Sequence, residues 1–206
     1  MFITFEGIDA SGKTTQLYLL ERELKKSGFR VLTTRQPGGT SIGLLIRQIL
    51  LNPEHVQMVP EAEVLLYMAD RVQHIKEVIL PALARDEIVL CDRYHDATLA
   101  YQGGGRQLDL SWLKQLEKKQ IVTPDLTFWF DISVEQSQER LKQRNQAQDT
   151  ENCRLESENT QFFNRVRSEY ARLCLADQSR FIQIEAWEDI PTIHQQLLKI
   201  VLDRIT

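Results

Sequence analysis

The first fourteen residues constrain the fold of this chain more than any other stretch. Residues 2–5 are apolar or β-branched, which predicts a short buried strand. The eight residues from Gly7 to Thr14 read G-I-D-A-S-G-K-T and match the pattern G-x-x-x-x-G-K-[ST] of a phosphate-binding P-loop. This loop connects a strand to a helix in α/β sheets. The sequence therefore predicts a nucleotide-phosphate site at the N-terminus of that helix.

The residue types in this loop suit phosphate chemistry. Gly7 and Gly12 allow positive φ angles, so that successive backbone N–H groups can approach an anion. Lys13 adds a positive charge near the transferred group, and the Thr14 hydroxyl can bind Mg²⁺. The predicted ligands of the nucleotide phosphates are Gly7, Ile8, Asp9, Ala10, Ser11, Gly12, Lys13, Thr14 and Thr15.

Composition restricts the partners and the compartment that we expect. A length of 206 residues suits one α/β domain spanning 1–206. The net charge of −4 gives no reason to expect a nucleic-acid or membrane surface. The sequence has no basic-then-apolar leader and no long uncharged apolar run, and its three cysteines lack metal-site spacing. These features predict a cytoplasmic protein with reduced thiols.

Apolar runs and helical spacings alternate along the chain. We predict strands at 2–5, 30–34, 88–92, 126–132 and 181–185, and helices at 14–27, 42–51, 61–84, 110–120, 133–144, 162–175 and after Pro191. Ser133 and Gln136 form a capping-box pattern, and Pro81 is expected to bend its helix or start a separate turn. The alternation predicts an α/β fold with a central parallel five-stranded sheet covered by helices on both faces.

Two segments lack a regular pattern. Residues 101–106 contain three consecutive glycines and are predicted to be mobile. Residues 143–159 are polar with almost no apolar spacing, which predicts a flexible lid.

Arginines follow predicted strand ends or lie on the lid. Arg35, Arg71 and Arg93 are predicted to surround a second phosphate group, and Arg144 and Arg154 are candidates to close over it from the lid. The planar guanidinium binds phosphate oxygens in pairs and stays charged. A single arginine on a helix is more often a solvated or salt-bridged surface residue, so Arg140 and Arg165 are interpreted as structural.

Seven short segments, in this order, resemble the thymidylate kinases, which are nucleoside monophosphate kinases. The resemblance spans residues 2 to about 170, and its segments are 5–16 (F-E-G-I-D-A-S-G-K-T-T-Q), 34–40 (T-R-Q-P-G-G-T), 69–73 (A-D-R-V-Q), 92–94 (D-R-Y), 100–106 (A-Y-Q-G-G-G-R), 124–127 (P-D-L-T) and 162–165 (F-F-N-R). It implies a P-loop NTPase fold with a lid, ATP as phosphoryl donor, Mg²⁺ as cofactor, dTMP as acceptor and a homodimer.

The resemblance also implies roles for individual residues. The implied catalytic set is Lys13, Arg93, Arg154, Arg144 and Asp9, and the implied metal ligands are Thr14 and Asp92. The implied substrate-binding set is Asp9, Arg35, Arg47, Tyr67, Arg71, Arg93, Tyr94, Tyr101 and Gln102. In that set Asp9 contacts the sugar 3′-hydroxyl, Arg71 and Arg93 hold the acceptor phosphate or bridge it to the donor, and Tyr67 stacks on thymine.

One position in the P-loop bears on the source of catalytic charge. Some family members carry an arginine directly after the acidic loop residue, where this chain has Ala10. In members without it the lid supplies the charge, which makes Arg144 and Arg154 the candidates, and the R-L-E-S-E segment starting at Arg154 favours that residue.

Three departures from the family pattern affect base selectivity more than reaction type. Gln36 replaces the usual glutamate before Pro-Gly-Gly, Ala97 replaces a small hydroxyl residue, and Tyr67 replaces the usual phenylalanine.

Two other functions remain open at this point. A deoxynucleoside kinase needs a base for the 5′-hydroxyl, for which Glu6 is a candidate. A nucleotide-binding switch without transfer predicts an N-K-x-D segment, which the sequence lacks.

Overall fold

The centre of the fold is a parallel β-sheet. The computed structural model describes residues 1–118 and 121–205. The strands are β1 (Phe2–Glu6), β2 (Val31–Arg35), β3 (Ile88–Asp92), β4 (Leu126–Asp131) and β5 (Phe181–Glu185), in the spatial order β2-β3-β1-β4-β5. All four neighbouring pairs are parallel, so the predicted five-stranded parallel sheet is confirmed.

Helices connect the strands, as parallel pairing requires. They are α1 (Lys13–Lys26), α2 (Ser41–Leu51), α3 (Pro60–His74), α4 (Leu80–Leu83), α5 (His95–Thr98), α6 (Leu110–Glu117), α7 (Val134–Gln148), α8 (Thr160–Ala176) and α9 (Ile190–Ile205). Two π-helical turns, Ile75–Ile79 and Leu99–Gly105, follow α3 and α5 directly. Pro81 lies in the first turn of α4, where its missing N–H is not needed.

The core forms where apolar helix faces meet the sheet. Leu17, Leu20 and Leu24 recur on one face of α1, and each is at most 1 % exposed. All five residues of β1 are buried because this strand lies between β3 and β4. The register pairs Phe5 with Asp92, so β1 and β3 end at the same edge of the sheet. The P-loop and residues 92–94 are therefore neighbours in space.

Residues 101–106 differ from the prediction. Rather than a mobile loop, Leu99–Gly105 is a π-helical turn whose residues are mostly buried. A Cβ at Gly105 would lie 2.5 Å from the Phe162 ring, and one at Gly104 would lie 2.7 Å from Cβ of Glu169. The glycines allow this turn to pack closely against α8, so the run reflects close packing rather than mobility.

Helix boundaries near the predicted lid also differ. The capping box at the start of α7 is present, with Oγ of Ser133 accepting from the Gln136 N–H at 3.2 Å and Oε1 of Gln136 accepting in return at 3.4 Å. The helix continues to Gln148, so the first six residues of 143–159 are helical. The end of α6 is at Glu117, and the rest of its predicted range includes residues 119–120, which lie outside the described residues. No helix in 1–118 or 121–205 is long and apolar enough to cross a membrane.

Candidate functional site

The loop after β1 has backbone conformations that favour glycine at two positions. Gly7 has φ 137° and Gly12 has φ 92°, and a Cβ at Gly7 would lie 2.5 Å from the carbonyl oxygen of Phe130. Gly12 is the N-cap of α1, and no side chain caps the helix there. The N–H groups of the first turn are therefore available to an anion.

Lys13 and Thr14 begin α1 beside the end of β3. The Lys13 ammonium donates to the Ile8 carbonyl oxygen at 2.8 Å and to Oγ of Ser11 at 3.2 Å. Burial, together with the nearby charge of Arg93, lowers the pKa of Lys13 to about 8. The Thr14 hydroxyl donates to the Asp92 carboxylate, so the two predicted metal ligands are in direct contact.

Two pockets adjoin at this edge of the sheet. The larger pocket lies between the P-loop and the end of β2. Its lining residues are Asp9, Ala10, Lys13, Thr14, Leu17, Tyr18, Thr33, Thr34, Arg35, Gln36, Gly38, Gly39, Arg47, Asp92, Arg93, Arg144 and Glu156. The smaller is lined by Asp9, Gln36, Pro37, Arg47, Leu51, Tyr67, Arg71, Arg93, Tyr94, Ala97, Thr98, Tyr101, Gln102, Cys153, Leu155 and Glu156. Arg47 and Arg93 line both pockets and lie at their junction.

Arg93 occupies the junction through a fixed set of contacts. Its guanidinium donates to the Gly7 carbonyl oxygen at 2.6 Å and to Oδ1 of Asp9 at 2.8 Å, and it lies 5.0 Å from the centre of the Tyr101 ring. The Tyr101 hydroxyl donates to the other oxygen of Asp9 at 3.0 Å. Burial alone raises the pKa of Asp9, but the charges of Arg93 and Lys13 outweigh it and hold that pKa below its usual value.

A buried carboxylate supports the turn that presents Arg93. The Arg93 backbone has φ 66°, a conformation that L-residues rarely adopt. Glu6 accepts the next backbone N–H, that of Tyr94, at 2.7 Å, and its second oxygen accepts from the Tyr170 hydroxyl at 2.7 Å. Burial and the charge of Asp96 raise the pKa of Glu6 to about 7. Glu6 is 0 % exposed and lines neither pocket, so it does not reach a substrate hydroxyl.

The three arginines that we expected around one phosphate lie in different places. Arg35 lines only the larger pocket, Arg71 only the smaller, and Arg93 both. Arg71 is 1 % exposed and donates to Gln36, Glu117 and Thr98 at 2.7 Å each. Its guanidinium is therefore fixed in the wall of the smaller pocket and does not line the larger one.

The two lid arginines also lie in different surroundings. Arg144 lines the larger pocket and pairs with Glu156 at 2.8 Å. Arg154 lines neither pocket, because its guanidinium is buried against Glu63 at 2.6 Å and donates to the Leu50 carbonyl oxygen at 2.9 Å.

Four further predicted substrate-binding residues line the smaller pocket. The rings of Tyr67 and Tyr101 are at most 9 % exposed, and both line the smaller pocket together with Tyr94 and Gln102. Thr15 is exposed on α1 and lines neither pocket. No sequence signal points to Glu63 or Glu117, or to the structural role of Glu6, because the partners of these carboxylates lie far away along the chain.

Comparison with known proteins identifies the family. The family model described as thymidylate kinase matches residues 5–197. The chain belongs to the thymidylate kinase family. The resemblance noted in the sequence is thereby confirmed.

Individual thymidylate kinases match over most of their lengths. That of Halothermothrix orenii is 46 % identical over 96 % of this chain and 94 % of its own length. That of an Exiguobacterium species is 43 % identical over 100 % of this chain and 95 % of its own. The crystal structure of the Ehrlichia chaffeensis thymidylate kinase superimposes with a TM-score of 0.78 at 33 % identity and covers 98 % of both chains. The P-loop fold expected for this kinase family is therefore confirmed.

Proposed function

We propose that this protein transfers the γ-phosphoryl group of ATP to the 5′-phosphate of dTMP, giving dTDP and ADP. The observation that carries the proposal is the junction of the two pockets, where Arg93 lines both. The P-loop supports a nucleoside triphosphate on one side. The family supports dTMP on the other, in the smaller and more apolar pocket.

Mg²⁺ is the proposed cofactor, and Thr14 and Asp92 are its proposed ligands. A hydroxyl and a carboxylate are oxygen ligands of the kind that Mg²⁺ prefers, and phosphate oxygens and water complete its shell in such sites. Within 1–118 and 121–205 no group of three or more His, Cys, Asp or Glu side chains is arranged so that it could hold a metal ion. This donor set suits Mg²⁺ that arrives with the nucleotide. When bound, the ion neutralises phosphate charge.

The proposed mechanism relies on positioning and on positive charge. The second pKa of a phosphate monoester is about 6, so the acceptor is already mostly dianionic at neutral pH and no general base is needed. The barrier lies in bringing two anions together in line. We infer that Lys13 and Arg93 neutralise this charge, that Arg47 contributes at the junction, and that Arg144 adds charge from the segment at 143–159.

The same placement suggests how the acceptor is oriented. Tyr67 presents a ring for stacking on thymine, and Asp9, held by Tyr101, faces the sugar hydroxyl. Arg71 and Gln102 then contact the edge of the base. We assign Arg71 to the base because it lines only the smaller pocket, and Arg144 to the lid because Arg154 is buried elsewhere.

We also propose a single domain over 1–206, a homodimer and a cytoplasmic location. Exposed apolar side chains recur on one face of α2 at Ile42, Leu45 and Ile49, each at least 43 % exposed, as a surface covered by a second copy requires. The three cysteines Cys91, Cys153 and Cys174 are unpaired, which suits a reducing compartment. The net charge of −4 gives no support for a nucleic-acid partner.

An ADP-release assay tests the function directly. ATP and Mg²⁺ are supplied with dTMP, dUMP, dCMP, dGMP, dAMP or thymidine. We expect turnover to be strongest with dTMP and modest with dUMP, because one methyl group contributes only about 1–3 kcal/mol to discrimination. Turnover with thymidine alone identifies a nucleoside kinase, and no acceptor-stimulated ADP contradicts the proposal.

A further inference from the structure

One buried carboxylate joins three separate parts of the chain. Glu63 lies in the first turn of α3 and is 0 % exposed. It accepts from Nε2 of Gln102 at 2.7 Å, and it pairs with Arg154 at 2.6 Å and with Arg106 at 3.2 Å. Gln102 lines the smaller pocket and Glu63 does not, so this amide connects the buried carboxylate to the pocket.

The two arginines hold this carboxylate in place. Arg106 also pairs with Glu158 at 2.5 Å and lies 4.9 Å from the centre of the Phe162 ring. Arg154 also donates to the Leu50 carbonyl oxygen at 2.9 Å. Each guanidinium therefore has a second anchor, and Glu63 cannot turn away from Gln102 without breaking a buried ion pair.

The chemistry of this contact fixes which end of the Gln102 amide faces the pocket. A carboxylate paired with guanidinium groups accepts hydrogen bonds and does not donate them. Only the NH₂ group of Gln102 can therefore face Glu63, and its carbonyl oxygen points to the other side. Across the parts of the chain that the structure describes, no donor hydrogen-bonds to this oxygen.

We propose that Glu63 is a positioning residue for base selectivity, which it exerts by orienting the amide of Gln102. This inference rests on the proposed function, in which the base occupies the smaller pocket. A carbonyl oxygen there accepts from the ring N3–H of thymine or uracil. Cytosine has an unprotonated nitrogen at that position, so two acceptors face each other and the base is rejected.

The Glu63→Gln variant tests this role. The introduced amide can donate to Oε1 of Gln102, which frees the Gln102 amide to turn its NH₂ group into the pocket. We expect the ratio of kcat/KM for dTMP to that for dCMP to fall about tenfold or more, chiefly through KM. The matched control is Glu158→Gln, which removes another carboxylate from Arg106 without contact to Gln102 and keeps the ratio within about twofold. A ratio unchanged in Glu63→Gln contradicts the proposal.

A double variant separates positioning from general destabilisation. In a Gln102→Leu background the ratio is already low, and Glu63→Gln lowers it no further if its effect passes through that amide. An equal fall in both backgrounds overturns the proposal.

A measurement on the unaltered protein keeps the proposal testable if Glu63→Gln does not fold. The probe is dTMP methylated at N3, which we expect to bind about tenfold or more weakly than dTMP by calorimetry. Equal binding overturns the proposal. Because this readout is binding, it is independent of whether the protein transfers phosphate, and failure of the proposed reaction shows separately in the ADP assay.

Discussion

Lys13 shows how burial prepares a single side chain for its ligand. Its pKa of about 8 reflects burial first and the charge of Arg93 second. The phosphates of a bound nucleotide add negative charge and raise this pKa again. At about pH 8 roughly half of the free protein lacks the Lys13 proton, so we expect nucleotide binding to take up a substantial fraction of a proton.

Calorimetry in two buffers of different ionisation enthalpy measures this uptake. Lys13→Ala is the control, and equal uptake in the variant contradicts the assignment.

Glu6 leads to a prediction about stability and pH. Its pKa is raised from 4.5 to about 7 in the folded protein, so the folded state holds this proton to higher pH than the unfolded state. The resulting stability is fully present below about pH 4.5 and is lost as the pH rises through about 7. The loss is on the order of 3 kcal/mol, and Glu6→Gln does not titrate.

Urea unfolding at about pH 5 and about pH 8 tests this prediction. We expect the wild type to lose free energy of unfolding relative to Glu6→Gln between the two pH values. Parallel changes in both proteins show that Glu6 does not titrate in this range.

Some contacts at the site can be predicted from the sequence, and others cannot. Contact between Thr14 and Asp92 follows from a motif and from the rule that parallel strands end together, both visible in the sequence. The contact of Glu6 with Tyr94 spans 88 residues, and its contact with Tyr170 spans 164. No local pattern reports such contacts, because they depend on how the whole sheet packs against α8.

The two arginines of the predicted lid, Arg144 on α7 and Arg154 after it, are expected to have different roles. Arg144 lines the larger pocket, so Arg144→Ala is expected to lower kcat on the order of 10³-fold with little effect on stability. Arg154→Ala leaves part of the Glu63 charge unpaired and is expected to lower the free energy of unfolding by about 3 kcal/mol. Single-turnover rates and urea unfolding of both variants separate the two effects. A larger loss of kcat in Arg154→Ala reverses the assignment.

The turn Leu99–Gly105 gives a packing prediction. A Cβ at Gly105 meets the Phe162 ring at 2.5 Å, so Gly105→Ala must push α8 away or strain the turn. We expect a loss of about 1–3 kcal/mol in the free energy of unfolding. The control is Lys114→Ala, on the exposed side of α6. Equal stability of Gly105→Ala and the control shows that the turn adapts without cost.

The elements themselves are largely predictable because buried parallel strands have continuous apolar runs. Each predicted strand overlaps an observed one. The exception is the glycine run at 101–106, since sequence rules associate glycine with mobility as readily as with close packing. The distinction depends on Phe162 and Val166, which face the turn from α8.

For the whole molecule, the α2 face leads to a prediction of assembly. If a second copy covers Ile42, Leu45 and Ile49, light scattering gives twice the chain mass of 24.0 kDa. Leu45→Glu places a charge in that contact and is expected to yield the monomer. Gln196→Glu, on the exposed side of α9, is the charge control. A wild-type mass of 24.0 kDa contradicts the homodimer.

The central position of β1 has a consequence for amide hydrogen exchange. Its residues are buried and hydrogen-bonded to strands on both sides, so their amides exchange only when the entire sheet opens. Residues 149–152, by contrast, are mostly exposed and not helical. We therefore expect slow exchange in the strand that leads directly into the P-loop, and faster exchange, through local opening, in the segment beyond α7. Nucleotides can enter and leave without disturbing the strand that carries their phosphate site.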